Sequence, residues 1–290
     1  SDLLTNIDRD HLNTYGTVEA ISDAFATFAN RVPFFGRVIV CLDDPKIQAL
    51  LPRLSERRVV TYGFSPQADL AVVDFQPHAL GSRFSVKNAR GVLGEIDLPM
   101  PGKHNVQNAL AAVGVGLSLG LEFERIAAAL ATFKGVHRRF EHVGEWRGAT
   151  LIDDYAHHPT EVAATLAAAR QTFPKGRVHA VFQPHLFSRT QDLAEAFGRS
   201  LLGADRAIVT DIYPSREAPI PGVTGEMVAE EARRSGHKHV HYCQRWQDAP
   251  ALLSGDVAPG DAILTLGAGD VYKLGQQLAS EAAAAPEEGA

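Results

Sequence analysis

From Thr150 to Leu278 the sequence alternates apolar runs with amphipathic stretches in a nearly strict rhythm. "TLID" reads as a strand and Pro159 to Gln171 as a helix. "RVHAVF" is a strand, "TQDLAEAFGRSLL" a helix, "RAIVTDI" a strand and "TGEMVAEEARRS" a helix. "KHVHYC", "WQDAPALL", "DAILTL" and "GDVYKLGQQL" continue as strand, short helix, strand and closing helix. Parallel strands cannot be joined by tight turns, so helices crossing over a parallel sheet are the economical solution to this order. The rhythm therefore predicts a doubly wound α/β domain, with ligands expected beyond the carboxyl ends of its strands.

The first half lacks that regularity. Thr17 to Arg31 has helical spacing, with Ile21, Phe25 and Phe28 on one stripe. "RVIVCL" reads as a buried strand, followed by a short helix from about Pro45. "VVTYGF" and "DLAVVDF" are further strands, and "SRFSVKNARGVLGEIDLP" is a hairpin turning near Asn88–Gly91. Two helices follow, "HNVQNALAAVGVGLSLG" and "EFERIAAALATF". The change of pattern near Glu141 to Gly148 divides the chain into 1–145 and 146–290. The end, "SEAAAAPEEGA", has the composition of a frayed tail.

Composition narrows the function. With 290 residues, 45% hydrophobic and 21% charged, the chain can bury a globular core. A net charge of −6 argues against a nucleic-acid surface. No run of about 18 apolar residues occurs, so no membrane helix is expected. Cys41 and Cys243 form no CxxC pair, which disfavours disulfide scaffolds and cysteine zinc sites and fits a reducing, cytoplasmic setting.

The loops after the second-half strands carry the chemistry: "DDYAHHP", "QPHLFSRT", "DIYPSREAPIPG" and "GAGD". In "DDYAHHP", Pro159 suits the first turn of a helix and Glu161 complements its dipole. Asp153 and Asp154 are adjacent at a strand end and point to opposite faces, so they do not serve one ion. His157 and His158 are likewise adjacent, unlike the i, i+4 spacing of helical zinc ligands. One Asp and one His touching a ligand is the better reading. "GAGD" is either an anion-accepting helix start or a tight strand–helix turn, and it lacks the third glycine of a dinucleotide fingerprint.

In the first half, "NIDRDH" (Asn6 to His11) is either part of a divalent-cation site or a capped loop. Arg138 and Arg139 suit phosphate recognition or form a solvated basic pair. Asn105 and Asn108 lie i, i+3 on one helix face, where one can read a base edge while the other caps the turn. No G-x-x-x-x-G-K-[ST] loop occurs in these residues.

Taken together, "TNIDRDHLNTYG", "PGKHNVQNALAA", "GVHRRFE", "DDYAHHPTEV", "FQPHLFSRT", "REAPIPGV" and "GAGD", in this order, resemble the Mur ligases of bacterial peptidoglycan synthesis. The resemblance extends to about Leu278 and is closest to the branch that joins L-alanine to UDP-N-acetylmuramate. It implies an incomplete central ATPase domain followed by a Rossmann-like, doubly wound C-terminal domain. It also implies that a UDP-binding domain and a phosphate-binding loop belong upstream of Ser1, and that residues 1–290 alone are inactive. The implied chemistry is ATP-dependent and uses Mg²⁺: the muramate carboxylate is phosphorylated, and the alanine amine then displaces phosphate. His11, Arg139 and His157 match catalytic positions, His11 being the metal ligand. His104, Asn108, Arg139, Asp154 and Tyr155 match nucleotide contacts. His157, His185 and Arg189 match substrate contacts, whereas Leu186 stands where some relatives carry arginine.

The alternatives are a murein peptide ligase of the same family, a non-catalytic module that holds a nucleotide or amino acid, and an NAD-dependent enzyme using "GAGD". The sequence after "FQPH" argues against the first and the incomplete fingerprint against the last. The expected partners are small molecules only, with neither nucleic acid nor membrane, and the oligomeric state is open.

Overall fold

The computed structural model describes residues 1–8, 15, 17–54, 56–78 and 81–284. The chain forms two compact units, Ser1–Lys134 and Gly135–Ala290.

The sheet of the first unit contains β1 (Asp2–Leu4), β2 (Val38–Cys41), β3 (Val59–Gly63), β4 (Leu70–His78), β5 (Gly81–Asn88) and β6 (Gly91–Leu98), side by side in that order. β1 to β4 are parallel, and β4 to β6 form an antiparallel meander. The tight turn between β5 and β6 is closed by the Asn88 side chain, which accepts from Arg90 N at 2.8 Å. Around the sheet lie α1 (Val18–Ala29), α2 (Pro45–Leu50), α3 (Lys103–Ser118) and α4 (Phe123–Ala131). Thr17 caps α1, and Asp44 caps α2 by accepting from Lys46 N and Ile47 N. Ile21, Ala26 and Ala29 are the buried residues of α1, whereas Phe28 is 52% exposed. The apolar stripe is thus rotated from the expected one, with the small alanines packing inward and Phe28 left at its margin.

The sheet of the second unit contains β7 (Glu141–Trp146), β8 (Ala149–Asp154), β9 (Val178–Phe182), β10 (Arg206–Val209), β11 (Val240–Tyr242) and β12 (Ala262–Leu266). Their spatial order is β11-β10-β9-β12-β8-β7. All pairings are parallel except β7 with β8. Because β7 pairs into this sheet, the junction lies at Lys134/Gly135, ahead of the expected 145/146 boundary.

The helices are α5 (Pro159–Thr172), α6 (Phe187–Ser200), α7 (Glu226–Arg234), α8 (Ala249–Leu253) and α9 (Tyr272–Ala284). One core cluster joins Ile152, Phe182, Val209 and Leu264 to Val162, Leu166, Phe197 and Val228 of α5 to α7. The other joins Leu151, Val181, Ile208 and Ile263 to Leu253, Leu274 and Leu278 of α8 and α9. Alternate strand residues feed opposite cores, so the sheet is covered on both faces as a doubly wound domain requires. α9 runs to Ala284, into the stretch read as a frayed tail.

β12 lies between β8 and β9, with Leu266 level with both Asp154 and Phe182. The carboxyl ends of these three strands therefore open side by side, and the end of β10 is next in line. Helices cross away from this edge and leave the loops to line it.

Candidate active site

Asp153 and Asp154, the last residues of β8, turn to different partners. Asp153 accepts from Thr265 Oγ1 at 2.6 Å and from Arg138 Nε at 2.9 Å. Asp154 is 4% exposed and accepts from Phe140 N and Ala156 N, both at 2.8 Å. Burial dominates its titration: despite those donors and the Arg139 charge, its carboxyl is pushed up to about 6. Asp154, expected at a nucleotide, also shapes the chain around Phe140 and Ala156.

Arg138 is the hub of this edge. Its side chain is 14% exposed, and it donates to Asp153 and to the carbonyls of Gly267 and Gly269. Its guanidinium also lies 5.0 Å from the Tyr155 ring and 4.6 Å from the Tyr272 ring. The "GAGD" turn is therefore a seat for arginine. Its glycine carbonyls face Arg138, and Val271 N donates to Gln183 Oε1 at 3.1 Å. Arg139 is different: 44% exposed, it makes a 3.5 Å ion pair with Glu161 and lies 5.9 Å from the Tyr155 ring. Of the two arginines, Arg139 is the more exposed.

His158 precedes Pro159 at the start of α5, and Glu161 accepts from His157 N and His158 N. His157 therefore leaves the helix start with a fixed backbone, and its Nδ1 sits 2.9 Å from Tyr155 O. Four rings follow one another along the edge: Tyr155 to His157 at 5.1 Å, His157 to His185 at 6.0 Å, and His185 to Tyr213 at 5.9 Å. Burial first, then the neighbouring His157 and Arg189 charges, lowers the His185 pKa below the ordinary histidine value. Arg189 lies in the first turn of α6, just beyond His185 and Leu186. Leu186 adopts φ +70, and its N–H donates to Tyr213 O at 3.0 Å.

The first unit carries its own candidates on α3. Asn105 is buried and donates to Pro101 O at 2.8 Å, fixing the helix start, while Asn108 is exposed and His104 half-buried. Of the two asparagines, Asn105 is thus the one tied to the helix start. His11 and the rest of "RDHLN" lie outside the described residues. Among the described residues no three His, Cys, Asp or Glu side chains converge as a metal site. Also among the described residues, no helix is long and apolar enough to cross a membrane.

Sequence reasoning singled out Asp154, Tyr155, His157, His185 and Arg189, and the structure gathers these residues along one edge. It missed Arg138 as the hub, along with Gln183, Tyr213 and Tyr272. Gln183 opens "QPH", and its position directly after a strand was the one available signal.

Two family models match the chain: the Mur ligase middle domain over residues 2–116 and the Mur ligase, glutamate ligase domain over residues 138–269. The UDP-N-acetylmuramate–L-alanine ligase of Salinibacter ruber is 50% identical over 274 residues, covering 94% of this chain and 58% of that protein. The crystal structure of the UDP-N-acetylmuramate-alanine ligase of Thermotoga maritima superposes with a TM-score of 0.75 at 25% identity, covering 97% of this chain and 60% of that one. The MurF ligase of the same organism, solved in complex with ADP, has the same TM-score at 20% identity, covering 97% of this chain and 62% of that one. The chain thus spans about three fifths of the length of the relatives it matches.

Proposed function

The chain belongs to the Mur ligase family, carrying its middle and glutamate-ligase domains, and from that premise we propose that it serves the ATP-dependent joining of L-alanine to UDP-N-acetylmuramate. The observation that carries the choice of amino-acid acceptor is the 50% identity to an alanine-adding relative across 94% of the chain. The ring row Tyr155–His157–His185 ending at Arg189 supports it with an edge suited to a small zwitterion.

In this reading ATP phosphorylates the muramate carboxylate, and the amine of alanine attacks the acyl phosphate. Such a reaction is largely a matter of position and charge neutralisation. Arg139 is assigned to the nucleotide phosphates, Tyr155 to the nucleotide, and His157, His185 and Arg189 to the acceptor side. Asp154 is assigned to the nucleotide, its carboxylate also holding the backbone of Phe140 and Ala156. In the first unit His104 and Asn108 are assigned to the adenine end. Mg²⁺, with His11 as its ligand, would neutralise phosphate charge when bound. Solubility in the cytoplasm is part of the same proposal.

The test is a chimera in which residues 1–290 replace the matching span of the Salinibacter ruber protein. Phosphate release that requires both UDP-N-acetylmuramate and L-alanine is the expected result. Release driven by a tripeptide but not by alanine would instead assign the murein peptide ligase activity. Residues 1–290 alone are expected to release no phosphate, having no phosphate-binding loop of the Walker type.

A further inference from the structure

The segment after β10 is not absorbed by the roles above, yet it is fastened to the site at several points. Its backbone pairs with the loop after β9: Tyr213 N donates to Pro184 O at 2.8 Å, and Leu186 N donates to Tyr213 O at 3.0 Å. The Tyr213 ring lies nearly parallel to the His185 ring, with 5.9 Å between centroids and 12° between planes. Four residues on, the Glu217 carboxylate accepts from Ser188 N at 3.0 Å and from Ser188 Oγ at 2.5 Å, with Phe187 N as a third donor. These are the first N–H groups of α6, which have no partner within the helix. At the far end Asp211 Oδ1 accepts from Gly225 N at 3.0 Å. From below, Gly269 comes so close that an added Cβ would lie 2.6 Å from Tyr213 Cγ and 2.2 Å from Gln183 Oε1.

We propose that Tyr213 and Glu217 are positioning residues for the acceptor side of the site: they clamp the loop after β10 onto the loop after β9 and so fix the His185 ring and the start of α6. The proposal rests on the acceptor reading given above. Its chemistry has two parts. Glu217 is a resident carboxylate on the start of α6, so the N–H groups there are already occupied by an anion. Tyr213 packs alongside His185, its ring nearly parallel and 5.9 Å away, and so takes part in burying it. Burial would raise the Glu217 carboxyl, but the Ser188 and Phe187 donors outweigh it and hold it below the usual range, so the clamp stays charged at neutral pH.

The test follows the His185 imidazole by NMR titration in residues 1–290, comparing Tyr213→Ala, Tyr213→Phe and Glu217→Gln with the parent. Uncovering the ring in Tyr213→Ala moves the His185 titration up towards the ordinary histidine range, and Tyr213→Phe restores it. In the chimera, Tyr213→Ala and Glu217→Gln raise the alanine KM on the order of tenfold, with the KM for ATP unchanged, because misplacement acts at the acceptor alone. A His185 titration identical in the parent and Tyr213→Ala overturns the clamp, as does an unchanged alanine KM in both variants. If the unmutated chimera ligates nothing, the ligase reading fails, and the titration still decides whether Tyr213 fixes His185.

Discussion

Arg138 and Asp153 form an ion pair at 2.9 Å, with side chains 14% and 4% exposed, and the same guanidinium closes on the Gly267 and Gly269 carbonyls. This pair ties the segment before β7 to the ends of β8 and β12. Removing one member leaves the other as an uncompensated buried charge, which costs about 3–5 kcal/mol. Arg138→Ala is therefore expected to lose that much in urea unfolding. Arg138→Lys is expected to lose about 1–3 kcal/mol, because an ammonium cannot reproduce the fork. Arg139→Ala, next in sequence but half-exposed, is expected to change stability by less than about 1 kcal/mol. Equal losses at the two positions would contradict the hub.

Asp154 makes stability depend on pH in an unusual direction. Its carboxyl titrates near 3.8 in the unfolded chain and at about 6 in the folded one, because burial outweighs its backbone donors. The folded state therefore binds more protons between these values, and stability falls as pH rises from 4 to 6, then levels. The total is on the order of 3 kcal/mol. Urea unfolding of the parent and Asp154→Asn across pH 4 to 8 isolates this slope. The parent should lose stability relative to the variant through that window, and parallel curves would refute the assignment.

Close packing between α6 and α7 gives a third expectation. A Cβ at Gly198 would meet Ala232 N and the Glu231 carbonyl carbon at 2.6 Å, both backbone atoms that cannot turn aside. Gly198→Ala gains about 1 kcal/mol of helix propensity, whereas overpacking costs about 1–3 kcal/mol. The contact should win and lower the denaturation midpoint. A raised midpoint would show that the two helices separate freely.

The doubly wound domain was legible because strand and helix alternate with little interruption, and "DDYAHHP", "QPHLFSRT" and "GAGD" stand where strands end. Placement at one edge follows from topology, so Tyr155, His157, His185 and Arg189 could be grouped in advance. The roles within the group depend on side-chain direction, which spacing does not carry. Arg138 and Arg139 are neighbours in sequence, but φ +58 at Arg138 turns it inward among Tyr155, Tyr272 and Asp153. Asp154 could be read as a strand-end carboxylate, but its added task of holding the Phe140 and Ala156 backbone shows only in the structure. Phe28 matched the helical period of α1, yet the core took the alanines. Tyr213 and Glu217 were invisible as partners of "PHLFS", because a loop-to-loop pairing across 29 residues leaves no periodic trace.

The acceptor site itself is tested most directly by the alanine KM of the chimera carrying Arg189→Ala. Loss of a charge-assisted contact to the amino-acid carboxylate, worth about 1.5–3 kcal/mol, should raise that KM at least about tenfold and leave the KM for ATP within about twofold. An unchanged alanine KM, or a parent chimera whose phosphate release does not require alanine, would contradict the account.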